Sequence, residues 1–160
     1  MQGEIVQLGD VPDIRGAWEG KRSVLVGGCF DLLHYGHYAF LKAAKQEGDV
    51  LIVALEHDSF IERRKGRHPV HTQIQRAELL AAFRMVDYVI PLPLMQTDAD
   101  YGSLMDAVRP SVIAVTAGDM YVTQKERHAL AFGSEVRQVT PLVESFSSSS
   151  IIEYASVLSD

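Results

Sequence analysis

His34 and His37 stand three residues apart in the segment Gly27-Gly-Cys-Phe-Asp-Leu-Leu-His-Tyr-Gly-His, at the start of a stretch with helical spacing. Three-residue spacing puts both imidazoles on one helix face. At a helix N-terminus the free amides and the positive dipole end attract phosphate, and imidazoles add donors whose charge can follow the ligand. Gly27 and Gly28 would let backbone approach an anion with no Cβ in the way. A triphosphate suits this pattern. Two other readings stay open on these residues alone. Zinc would need further ligands, for which the chain offers Cys29 and the scattered His57, His68, His71 and His128, in no recognised spacing. In a purely architectural reading, His34 caps a turn and His37 is half buried.

Two later segments carry complementary chemistry. Glu62-Arg-Arg-Lys-Gly-Arg-His-Pro concentrates Arg63, Arg64, Lys65 and Arg67 on an otherwise acidic chain, with Gly66 for mobility, Pro69 for termination and Arg76 on the helix beyond. A solvated charged run is the ordinary reading. A mobile basic loop after a strand could instead close over phosphates and neutralise charge that develops during transfer, with Lys65 the foremost candidate. Phe146-Ser-Ser-Ser-Ser-Ile-Ile-Glu places hydroxyls directly before an apolar helical pattern. One serine suffices as an N-cap, worth about 1 kcal/mol, so the run from Ser147 to Ser150 exceeds that need. A hydroxyl-lined helix start would make a second phosphate cradle. Asp119, in Ala-Gly-Asp-Met-Tyr, could bind substrate hydroxyls or simply open the next helix.

These residues need a scaffold, and the apolar pattern supplies one. Ser23–Cys29 and Val50–Leu55 read as buried strands, with a helix over Tyr35–Gln46 between them that ends at Gly48. That order is a βαβ unit. The alternation continues with a helix at Ile74–Met85, a strand at Tyr88–Pro91, a helix at Gly102–Val108 and a strand at Ser111–Thr116. A helix at Thr123–Phe132, a strand at Glu135–Val139 and a helix at Ser148–Leu158 complete it. The expected fold is α/β: a Rossmann-like, doubly wound, mostly parallel five-stranded sheet with helices on both faces. In such sheets ligands bind beyond the C-terminal strand ends, where the loops after Cys29, Leu55, Pro91, Thr116 and Val139 must converge.

Bulk composition narrows the classes. With 160 residues, 47% hydrophobic and 22% charged, the chain predicts one globular domain, residues 23–160, behind an N-terminal extension, residues 1–22. Twenty-one acidic against 15 basic residues, a formal charge of −6, argue against nucleic acid and anionic membrane as partners. No apolar run reaches membrane-spanning length, the first residues lack a secretory pattern, and the single cysteine cannot form an internal disulfide. A cytoplasmic protein is expected. The G-x-x-x-x-G-K-[ST], G-x-G-x-x-G and G-x-S-x-G motifs are absent, which disfavours Walker kinases, nicotinamide dehydrogenases and α/β-hydrolases.

Gly28-Cys-Phe-Asp-Leu-Leu-His34-Tyr-Gly-His37 resembles the G-x-F-D-x-x-H-x-G-H motif of the cytidylyltransferase-like nucleotidyltransferases, and the likeness runs from Ser23 to the C-terminus. Lys65-Gly66 with Pro69 and Arg76, then Gly118-Asp119-Met-Tyr121, then Ser147-Ser-Ser149 before Ile151-Ile152, resemble later motifs of that family in the same order. Within it, Gly-Cys-Phe-Asp-Leu-Leu-His, Val86-Asp-Tyr-Val and Arg109-Pro110 are most similar to the adenylyltransferase domains of ADP-heptose synthases. Glycerol-3-phosphate-type cytidylyltransferases are the near alternative, from which the chain departs at Leu142, where their motif has arginine. It departs from the heptose enzymes at Thr116-Ala-Gly-Asp, where they have a lysine and two glycines.

The resemblance implies transfer of a nucleoside monophosphate from ATP or CTP to a phosphorylated small molecule such as a sugar phosphate, with release of pyrophosphate. It implies His34, His37 and Lys65 as catalytic residues. Gly28, Cys29, Phe30, His34, Gly36, His37, Arg76, Gly118, Asp119, Ser147, Ser148 and Ser149 would bind nucleotide, and Asp31, Lys65 and Asp119 would bind substrate. It also implies magnesium carried on the triphosphate rather than in a protein cage, and a homodimer. A nucleotide-binding regulator that keeps the pocket without the reaction is the alternative from another class.

Overall fold

The computed structural model describes residues 2–141 and 147–158. A short strand β1 (Glu4–Ile5) and a helical stretch containing α1 (Val11–Ile14) lead into β2 (Ser23–Gly28), α2 (Tyr35–Lys45), β3 (Val50–Leu55), α3 (Asp58–Lys65) and α4 (Gln73–Ala81). There follow β4 (Tyr88–Pro91), α5 (Asp98–Val108), β5 (Val112–Thr116), α6 (Val122–Phe132), β6 (Glu135–Thr140) and α7 (Ser148–Leu158). The strands form one sheet in the order β1-β4-β3-β2-β5-β6, every pairing parallel. Strand order reverses beside β2, which pairs with both β3 and β5, so the switch point lies at the end of the strand that leads into the two histidines.

β3 is central because it is apolar on both faces: Val50, Ile52 and Ala54 enter one core and Leu51, Val53 and Leu55 the other. The first core receives Leu104, Met105 and Val108 of α5 and Ala129 of α6, and the second receives Leu41 and Ala44 of α2 with Ala77, Leu80 and Ala81 of α4. The helices therefore sandwich the sheet, as the sequence pattern predicts.

Four elements differ from that pattern, α4 among them, since it ends at Ala81 rather than Met85. The sheet has six strands rather than five, because Glu4 and Ile5 pair with Tyr88 and Val89. Two exposed residues carry no period-2 signal, and the segment is fixed by its neighbours: Gly3 donates to Ala81 O at 2.7 Å, and a Cβ there would lie 2.6 Å from Val86 O. The basic run expected as a mobile loop is instead the last turn of α3, which His57 caps through Nδ1, buried Ile61 anchors and Gly66 ends at φ +66°. Cations favour that end of a helix. α5 starts four residues early because Thr97 and Asp100 form a reciprocal capping box.

Trp18 sits 3% exposed in the first core, donates from its indole to Val108 O at 3.1 Å and packs on Tyr88 with ring centres 4.9 Å apart. Trp18→Ala is expected to cost about 3–5 kcal/mol, seen as a lower urea midpoint. An unchanged midpoint would mean that residues before β2 add nothing to the core.

Candidate active site at the strand ends

Between β2 and α2 the chain makes a tight excursion in which Phe30 (φ 47°) and Leu32 (φ 51°) are both left-handed. Such conformations cost about 1–3 kcal/mol each and persist only where the surroundings over-determine them. Arg76 supplies much of that determination. Its guanidinium donates to Cys29 O at 2.5 Å, Glu56 O at 3.0 Å, His71 O at 3.1 Å and the Asp58 carboxylate at 2.6 Å. Asp31 does the rest: its carboxylate accepts from Val70 N–H at 2.9 Å, His71 N–H at 3.1 Å and Arg67 at 2.9 Å, while its carbonyl accepts from the Ser148 hydroxyl.

Both residues therefore sit elsewhere than the sequence reading placed them. Arg76 was expected on nucleotide phosphates and Asp31 on substrate, yet the Arg76 side chain is 0% exposed and its nitrogens are taken up by protein acceptors. Asp31 is likewise enclosed, and burial, which would raise its pKa, is outweighed by the Val70 and His71 amides and Arg67, which hold it low. They build the loop that presents other groups.

Those groups are the histidines. His34 is the N-cap of α2, its Nδ1 accepting from Gly36 N–H at 3.0 Å, which leaves the neutral ring's proton on Nε2 as an outward donor. His37 stacks on His34 with ring centres 3.8 Å apart and leans on Phe30 at 5.3 Å. Its Nδ1 is buried without a hydrogen-bond partner. Burial, then the charges of His34 and Lys65, push His37 down to about 3, and burial with Lys65 lowers His34 too. Lys65 itself is lowered by burial, opposed by Cys29 and reinforced by Arg67 and Arg64. An arriving polyanion would favour the charged form of each of these groups, against the repulsion among them.

The remaining candidates gather nearby with mixed roles. Ser147 caps α7 by accepting from Ser150 N–H at 3.0 Å, buried Ser148 ties that helix start to the Asp31 loop, and Ser149 is exposed on the first turn. Residues 142–146, including Leu142, lie outside the described residues. Gly118 is left-handed at φ +74°, and Asp119 accepts from Tyr121 N–H at 2.8 Å and pairs with Lys125 at 2.6 Å. Gly28 leaves room for the Phe30 ring, which a Cβ would meet at 2.9 Å, rather than for an anion.

On the opposite sheet face the strand ends line a cavity of about 540 Å³, which takes in Gly28, Cys29, Gly118 and Asp119 from the sequence-predicted residues together with groups that the sequence reading did not name. Leu25, Ala54, Leu92, Met95, Met105 and Ile113 form its apolar lining, and Glu56, Tyr101, Arg64 and Lys125 contribute polar groups. Tyr101 donates to Glu56 Oε1 at 2.9 Å, whereas Glu56 Oε2 is buried without a partner. Burial raises the Glu56 pKa against the opposing Tyr101 hydrogen bond and the Lys125, Arg64 and Arg76 charges. A lone acid directly after a fully apolar strand was the readable signal.

With this geometry in place, sequence comparison decides the family. The Cytidylyltransferase-like model matches residues 25–154, from inside β2 to inside α7. The chain belongs to the cytidylyltransferase-like family. Among its relatives, the bifunctional protein HldE of a Nitratiruptor species is 40% identical over 135 residues, 84% of this chain and 28% of that protein. FAD synthase of Thermococcus sibiricus is 51% identical over 70 residues, 44% of this chain and 47% of that one. The chain thus spans between about a quarter and a half of the length of these relatives. The crystal structure of the lipopolysaccharide core biosynthesis protein from Thermoplasma volcanium superposes with a TM-score of 0.61 at 26% identity, covering 77% of this chain and 97% of that one. In this cytidylyltransferase-like chain the histidine segment lies wholly within the matched region.

Two outcomes test the geometry. Arg76→Met leaves strand-end carbonyls and Asp58 unpaired, and is expected to cost about 3–5 kcal/mol in urea unfolding. For His37, the folded pKa of about 3 lies below the ordinary value of 6.5, so the unfolded chain binds more protons between them. Stability is complete above 6.5 and falls as pH drops toward 3. His37→Gln should flatten that slope in pH-dependent melts, and an unchanged slope would remove His37 as its source.

Proposed function

We propose that this chain is a nucleotidyltransferase that moves an adenylyl group from ATP to a phosphomonoester and releases pyrophosphate. The observation that carries the reading is the stacked His34–His37 pair at the start of α2, held by a strained loop at the switch point of a parallel sheet. Likeness to FAD synthase supports adenylyl as the group transferred, since FAD synthesis joins an adenylyl group to a phosphomonoester. A phosphate oxygen of the acceptor attacks the α-phosphorus, the bond to the β-phosphate breaks, and pyrophosphate leaves with the electron pair. The acceptor phosphate is already ionised near neutral pH, so neither a general base nor a covalent enzyme intermediate is required.

Catalysis in this reading is positioning and charge stabilisation. His34 donates from Nε2, His37 gains a proton or a donor contact as the polyanion arrives, and Lys65 neutralises charge on the phosphates. The starts of α2 and α7, joined by the Ser148–Asp31 contact, contribute amides and hydroxyls from a second side. A divalent ion bound together with the triphosphate would add charge neutralisation to that supplied by Lys65.

The test is pyrophosphate release from ATP and CTP against a panel of phosphomonoesters, paired with nucleotide-induced thermal shift. His37→Ala and Lys65→Ala are each expected to lower kcat about 10²–10³-fold with melting temperature nearly unchanged. Full activity in His37→Ala would remove its role. A thermal shift with no pyrophosphate from any acceptor would make the chain a nucleotide-binding regulator instead.

A further inference from the structure

Two segments meet above the end of β2 through side chains alone. α3 continues from β3 and residues 117–121 continue from β5, the two strands that flank β2. A contact between α3 and residues 117–121 therefore has to cross the C-terminal end of β2. Arg64 makes it: Nη2 donates to Met120 Sδ at 3.2 Å, and the guanidinium carbon lies 5.6 Å from the centre of the Tyr121 ring. Phe60, one turn earlier on α3, adds a ring contact to Tyr121 at 6.4 Å. Among the described residues no backbone hydrogen bond joins α3 to residues 117–121. Phe60, Arg64, Met120 and Tyr121 line the strand-end cavity together with Gly27 and Cys29. Gly27 leaves the floor of that passage without a side chain, and only Ala54 O comes within 4 Å of a Cβ placed there, so the Arg64 contact roofs open space.

The partners of Arg64 are weak ones for a guanidinium. Arg67 holds the Asp31 carboxylate and Arg76 that of Asp58, whereas Arg64 makes no ion pair among the described residues. A thioether is a poor acceptor, and an exposed cation–π contact is weaker than a desolvated one. Met120 is 68% exposed, so the core does not require it. The loop behind the contact is firmly held: Asp119 accepts from Tyr121 N–H at 2.8 Å and pairs with Lys125 at 2.6 Å, and Ala117 N–H donates to Thr140 O at 3.0 Å. A fixed base with weakly joined tips can open by side-chain rotation alone. We infer that Arg64, Met120 and Tyr121 form a latch over the β2 end, shut in the free protein, that opens to let a ligand enter the strand-end crevice. An anionic ligand favours opening, because it offers the guanidinium charged oxygens in place of a sulfur and a ring. The latch is inferred from geometry, and nucleotide as the ligand it admits rests on the transfer reading.

Cys29, the chain's single cysteine, directly follows β2 and lines the cavity, so its alkylation by neutral iodoacetamide reports the open fraction. Met120→Ala and Tyr121→Leu should each speed alkylation of the full chain about 2–5-fold, the range of an exposed cation–π contact. On an Arg64→Ala background Tyr121→Leu should change the rate less than about 1.5-fold, a coupling that independent structural roles would not produce. Arg64 also favours the Cys29 thiolate by its charge, an effect that divides out of this cycle because Tyr121→Leu alters no charge. If Tyr121→Leu fails to fold, the same cycle with Met120→Ala decides. Equal acceleration on both backgrounds, or none from either substitution, overturns the inference. Stopped-flow mixing with ATP and magnesium should show association about 2–5-fold faster on Met120→Ala, and an association rate indifferent to that change overturns the gate. Coupled alkylation without any ATP binding would keep the latch and remove the nucleotide reading. Pyrophosphate release from ATP with uncoupled alkylation would remove the latch and keep the reaction.

Discussion

The buried guanidinium of Arg76 is the constraint on which the strand-end architecture depends. A charge removed from water is tolerated only when its donors are matched, and here they meet Cys29 O after β2, Glu56 O after β3, His71 O before α4 and the Asp58 carboxylate on α3. Those carbonyls have left the parallel ladder and would otherwise be orphaned in a dry interior. One side chain thus satisfies three chain segments and fixes their relative positions. Lysine could not take this place, since a point charge cannot serve acceptors spread over a planar fork.

Fixing those segments allows the left-handed Phe30 and Leu32 to persist, and their conformation turns the chain sharply enough for His34 to cap α2. The cap in turn selects the His34 tautomer, because an Nδ1 that accepts from Gly36 cannot also carry the neutral ring's proton. Burial then keeps His37 uncharged in the free protein. A polyanion at this site would offset the mutual repulsion of His34, His37 and Lys65 and favour their charged forms. The preorganisation therefore starts from a buried guanidinium that binds the protein's own backbone.

The sequence shows the strands, the histidine segment and the family motifs clearly because each is a local pattern: apolar runs, spacing three apart, glycines beside them. It misplaces Arg76 and Asp31 because charge is visible in a sequence and burial is not. Arg76 lies four residues before Leu80 and next to Ala77, on the stripe that α4 turns to the core, and that register was the available warning. Asp31 offers no such register, since its partners arrive from Arg67, Val70 and His71, nearly forty residues away. α3 was hidden by its charges, with Phe60 and Ile61 too few to show a helical period. β1 was hidden by its length, since two residues cannot display alternation.

The glycines at the end of β2 connect the two halves of the site. Alternation along β2 places Gly28 with Val24 and Val26 on the α2 face, where the Phe30 ring fills the space a Cβ would need. Gly27 falls with Leu25 on the cavity face, where the nearest atom to an added Cβ is Ala54 O at 3.9 Å. A side chain at Gly27 would therefore project into open volume at the boundary between the apolar pocket and the histidines. Its absence leaves an unobstructed edge of backbone between the cavity and the histidine pair. In-line attack needs such an edge, because the acceptor oxygen must reach the α-phosphorus from the side opposite the departing pyrophosphate. At the switch point the flanking crossovers pass to opposite faces, which makes the β2 end the position where a residue without a side chain opens one face to the other.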